Sequence, residues 1–205
     1  MTIIINSYRF GSQTLTFVDS ATSTSSTITM PAGAAENDIA FLADFPDGGG
    51  PPDSIPTGFS AIASGRWDSV RLRTSYKILG AGEGGSTITG MNGATSNSKV
   101  LLVFRPGTAA TVAVSTWGNE PTSGNPSQQT ISASGQTPPL VAIGVSATTG
   151  TPAFSVETPS FSANVTSSHV KVGYTIYNSS PSDHTVDHAD LGDNVFQTGY
   201  IRAVF

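Results

Sequence analysis

The chain has 205 residues, enough for one large domain or two small ones, and either can bury a proper core. Only 11% of it is charged, the net charge is −5 and cysteine is absent. That combination excludes disulfides and thiolate metal sites, and it lacks the electrostatic footprint of a nucleic-acid binder.

The opening, "MTIIINSYRF", has no basic n-region, no long apolar h-region and no small-residue cleavage site, so synthesis in the cytosol without a secretory signal is expected. No apolar run approaches the roughly 20 residues of a membrane-spanning helix, and no membrane partner is expected. Ile3, Ile4 and Ile5 make residues 1–11 a strand-prone arm, expected to pair with a sheet edge or with another subunit.

From there the pattern is all strand. "TLTFV", "STITM", "DIAFLADF", "GFSAIAS", "VRLRTSYKIL", "STITGM" and "KVLLVF" follow one another in the first half. "TVAVSTW", "QTISA", "LVAIGVSA", "FSANV", "HVKVGYTIY", "HTVDH" and "GYIRAVF" follow in the second. Each run is rich in β-branched or aromatic residues and bounded by Gly, Pro, Asp or Ser, at roughly 8–14-residue spacing. The two series match in order with an offset of about 100 residues, Tyr76 falling on Tyr174 and Ile78 on Ile176. The expected fold is an antiparallel β-sandwich of jelly-roll type with two duplicated halves, residues 12–107 and 108–205. They form two small sandwiches or one unit with a shared core.

"DIAFLADF" and "KVLLVF" are nearly continuous apolar runs and read as central strands buried on both sides. "VRLRTSYKIL" alternates instead. Val70, Leu72, Thr74, Tyr76 and Ile78 share one face, and Arg71, Arg73, Ser75 and Lys77 the other. The basic face is expected to meet solvent or a partner. With Arg66 it is the chain's concentration of positive charge, and Arg71, Arg73 and Lys77 are candidate docking residues for an acidic surface or a saccharide carboxylate.

"ADFPDGGGPPDSIPTGF" reads as an exposed Gly/Pro loop. Its Asp44, Asp47 and Asp53 do not have the spacing of an EF-hand. "SDHTVDHADLGD" holds His184 and His188 with Asp187 between them, groups that zinc or a harder cation could use. The duplication sets His184, Val186 and His188 against Ser86, Ile88 and Gly90 on a strand, where same-face neighbours lie about 7 Å apart. A polar surface strand is therefore the expectation, with no metal or other cofactor. G-x-S-x-G, P-loop and H-E-x-x-H signatures are absent, and the chain is read as a non-enzyme.

Five short stretches carry a family resemblance: Pro31-Ala32-Gly33, Asn37-Asp38-Ile39-Ala40, Pro56-Thr57-Gly58-Phe59, Ser75-Tyr76-Lys77 and Val103-Phe104-Arg105. In these the first half resembles accessory structural proteins of tailed bacteriophages. Their pattern has Gly where Asn37 stands and usually Trp where Phe59 stands. The resemblance implies an accessory virion protein, made in the host cytoplasm, on the head or the tail; head decoration is expected before a minor tail or adsorption role because a compact unit lacks the long repetitive shaft of a fibre. It also implies other virion proteins and copies of itself as partners, and a surface glycan under the adsorption reading. It carries over no catalytic residue.

Overall fold

The computed structural model describes residues 13–47, 54–67, 70–91, 96–123, 128–188 and 193–205. The first half contains β1 (Leu15–Ser23), β2 (Ile28–Thr29), β3 (Ile39–Asp47), β4 (Ser60–Trp67), β5 (Val70–Ile78), β6 (Thr87–Ile88) and β7 (Ser96–Pro106). The second contains β8 (Thr111–Ser123), β9 (Gln129–Ile131), β10 (Leu140–Thr148), β11 (Phe154–Thr158), β12 (Ala163–Thr166), β13 (Val170–Tyr177), β14 (His184–His188) and β15 (Asp193–Val204). All strand pairs are antiparallel, and no helix occurs among the described residues.

Two five-stranded sheets, ordered β1-β7-β3-β5-β4 and β12-β13-β10-β15-β8, face each other. Their inner faces share one core: Ile39, Phe41, Ala43, Val100, Leu102 and Phe104 from the first meet Val141, Ile143, Val172, Tyr174 and Ile201 from the second. A buried polar tie crosses it. The Thr74 hydroxyl donates to Gln197 Oε1 at 2.7 Å, and the Gln197 amide donates to Asn119 Oδ1 at 3.0 Å, with Gln197 wholly buried.

The outer faces are covered as well. The β2–β6 ribbon lays Ile28, Met30 and Ile88 on Ala40, Leu42, Leu101 and Val103. A β11-β14-β9 sheet lays Ile131 and Val186 on Leu140, Ala142, Phe196 and Tyr200. Strand segments covered by apolar layers on both faces are apolar at successive positions, which is why "IAFLA" of β3, "VLLVF" of β7 and "LVAIGV" of β10 read as hydrophobic runs.

Pairing within each half is nested. β1 pairs with β7, β2 with β6 and β3 with β5; likewise β8 pairs with β15, β9 with β14 and β10 with β13. Read from its β8 edge, the second sheet runs β8-β15-β10-β13-β12, the order of the first sheet strand for strand. The halves differ by one strand. β11, the segment "FSVET", was not among the strand candidates, and it adds a third member to the second outer sheet.

Candidate functional site

The basic face of β5 is not open. Arg71 and Arg73 are 8% and 6% exposed and Ser75 is 2% exposed, because this face looks outward from the sheet but lies under other parts of the chain. The Arg73 guanidinium donates to the Ser54 carbonyl of the β3–β4 connection. Asp44, expected in a loop, is on β3 directly between Arg73 on β5 and Lys99 on β7. Its carboxylate lies 3.1 Å from the Lys99 ammonium, and both side chains are almost completely buried. Burial pushes the Asp44 carboxyl above the usual carboxylate range; Lys99, then Arg73, pull it back. These charges are matched to one another inside the fold, so the expectation of an exposed docking face at Arg71 and Arg73 is corrected. Lys77 is partly exposed, and its ammonium pairs with Glu83.

His184 also departs from the surface expectation, being wholly buried. It stands opposite Ile131 in the β14–β9 ladder, the rung that Ser86 takes opposite Met30 in the first half, but here the position is buried where Ser86 is exposed. Its ring stacks on Phe161 at 5.1 Å and 10°, and Nε2 bonds the Tyr177 hydroxyl at 2.5 Å. Tyr177 in turn bonds Ser182 Oγ at 2.7 Å. Burial pushes this imidazole below its usual range, while the Pro159 carbonyl and the Glu157 carboxylate oppose the shift. With Nε2 already engaged, His184 is a packed aromatic with a polar handle. Asp187 lies on the same strand facing Val156, and the side chain of His188 lies outside the described residues. Among the described residues no group of three or more His, Asp or Glu is arranged to hold a metal ion.

An open pocket of about 280 Å³ lies beside β6. Phe59, Lys77 and Glu83 form part of its wall, and the hydroxyl side chains of Thr57, Ser86, Thr87 and Thr89 form the rest with Met30 and Ile88. A tight turn positions the first of these: Phe59 N–H donates to the Pro56 carbonyl at 3.0 Å, and Gly58 has φ +83°. Lys77 lies across Gly58, where a Cβ would meet its Nζ at 3.0 Å. Glycine is favoured there by its φ of +83°, and a Cβ would also crowd the end of the Lys77 side chain. The sequence signal for this site was the P-x-G-F turn, which fixes a wall without announcing a cavity.

Ile3, Ile4 and Ile5 lie outside the described residues. No family model, curated protein or solved structure matches the chain.

Proposed function

We propose that this chain is a non-enzymatic structural subunit of a tailed-phage virion: an accessory head protein that decorates the capsid, contacting other virion proteins and copies of itself. The observation that carries the reading is what the resemblance residues do in this fold. Ala34 N–H closes a turn on the Pro31 carbonyl at 3.0 Å, and Phe59 closes another on Pro56. Asn37 has φ 68°, a conformation that glycine adopts freely and asparagine tolerates, so Asn can stand where the phage pattern has Gly. Asp38 clasps Arg105. Every one of these is an architectural role, as expected of a pattern that marks a fold rather than a reaction.

The nested pairing and the shared strand order support reading the halves as duplicated jelly rolls joined back to back. Such a body works by presenting surface at high copy number. Antibody labelling of intact particles tests the proposal. Regular labelling over the head supports decoration, labelling at the tail moves the protein there, and purified particles lacking the chain overturn the virion reading.

A further inference from the structure

Phe59 and Phe161 hold matching places in the two halves. Each stands just before the edge strand of its sheet, β4 or β12, in "GFSA" and "SFSA", and each packs into the apolar cluster beneath its outer sheet. Their surroundings differ. The Phe161 ring is covered by His184, which lies 5.1 Å away and only 10° from parallel. In the first half the rung of His184 belongs to Ser86, whose short side chain has no ring to lay on Phe59. Among the described residues no aromatic ring stacks on Phe59, and it is only partly buried. The pocket of about 280 Å³ is walled by both Phe59 and Ser86, so it corresponds to the space that the imidazole fills in the second half.

The walls of this pocket are of three kinds. Phe59, with buried Met30 and Ile88, offers apolar surface. Thr57, Thr87 and Thr89 are exposed and bring hydroxyls, each both a donor and an acceptor. Lys77 and Glu83 form an ion pair, which sets a donor beside an acceptor with their charges offset. Both are positioned: Glu83 Oε2 accepts from Gly80 N–H at 2.9 Å, and Lys77 lies across Gly58.

A ligand that answers all three walls needs a ring with an apolar face, hydroxyls around its rim and no net charge. We propose that this pocket binds a single pyranose unit of a neutral saccharide, with its C–H face on Phe59 and adjacent hydroxyls on Lys77 and Glu83. The volume lies at the small end of ligand sites, which span about 300–1,000 Å³, and it suits one sugar ring better than a chain held along its length. An aromatic ligand would stack equally well but would leave the hydroxyls and the ion pair without partners. An acidic sugar would bring its carboxylate towards Glu83. The inference goes beyond the virion reading and does not depend on it.

Saturation-transfer NMR on the purified full-length protein tests it. Glucose, galactose and mannose are the neutral probes, and N-acetylneuraminate is the charged comparison. The expected result is saturable transfer to the ring protons of at least one neutral sugar, and several-fold weaker binding in both Thr87→Val and Phe59→Leu. Thr87 is exposed and valine keeps its shape, so folding is not at stake there, and the unfolding midpoint checks both variants. Thr166→Val, exposed on β12, should bind as the parent does. No saturable transfer to any of the three sugars, binding undiminished in either pocket variant, or transfer to N-acetylneuraminate alone would each overturn the proposal. Because no particle is involved, such a failure is distinct from failure of the virion reading.

Discussion

Asp38 and Arg105 meet edge to edge, Nε on Oδ1 and Nη2 on Oδ2, both at 2.8 Å. The same carboxylate accepts from Ala35 N–H at 2.9 Å, and the same guanidinium donates to the Gly33 carbonyl at 2.9 Å. The start of β3, the end of β7 and the turn after β2 are thereby locked together. In the second half Leu140 stands opposite Arg202, and the buried Arg202 Nε has no hydrogen-bond partner. The cation persists there without its carboxylate.

Asp38→Ala should cost about 2–3 kcal/mol. The Arg105 side chain is nearly half exposed, so its charge is screened, and the loss comes mainly from the buried acceptor. Denaturant unfolding should show a lower midpoint with an unchanged slope. An unchanged midpoint would show that the clasp contributes nothing.

The Asp44–Lys99 pair should behave non-additively. Asp44→Ala leaves Lys99 as an unmatched buried charge, at a cost of about 3–5 kcal/mol; Lys99→Ala should cost less, because Arg73 still faces Asp44. Replacing both by apolar residues should cost clearly less than the sum, and a double-mutant cycle measures the difference. Simple additivity would mean that the two side chains do not couple.

Stability should fall on mild acidification through His184. Its folded-state pKa lies below its unfolded value of about 6.5, so the unfolded chain binds the extra proton first. Its contribution is complete above that value and declines as pH drops towards 5. His184→Phe keeps the stack on Phe161 and has no proton to bind. Unfolding curves across this range should therefore be flatter for the variant; parallel curves would assign the acid sensitivity elsewhere.

Gly173→Ala should destabilise by about 1–3 kcal/mol. A Cβ at this position would run into the ring of Phe161 and the Asn164 side chain, and the ring cannot retreat without disturbing His184. Gly82→Ala makes a useful contrast, since a Cβ there meets nothing and only its φ of +76° is strained. Thermal unfolding of the two variants separates steric from conformational cost. Equal shifts would remove the packing argument.

Much of the architecture was legible because burial on both faces leaves a direct mark. "DIAFLADF" and "KVLLVF" could only be central strands. What misled was alternation. The Arg/Lys face of "VRLRTSYKIL" looks like a solvent face, but the rest of the chain folds over it and Asp44 supplies a counter-charge from the next strand. Layering of this kind arises from distant segments and has no local period. "FSVET" is short and flanked by prolines, and it pairs at the edge of a sheet that the strand count alone did not require. His184 escaped for a related reason: a single polar residue in a polar stretch carries no sign that an aromatic floor awaits it.

Nested pairing also governs when this protein can fold. β1 finds its partner only 76 to 91 residues later in the chain, so its sheet cannot be completed until nearly a whole half has left the ribosome. Throughout that interval β3, with both faces made to be covered, is exposed to every other nascent copy. Slower synthesis at low temperature would not shorten the wait, but it would thin the population of half-made chains that meet. Crowding among half-made chains is thus expected to act on this protein before the finished fold has any stability to offer.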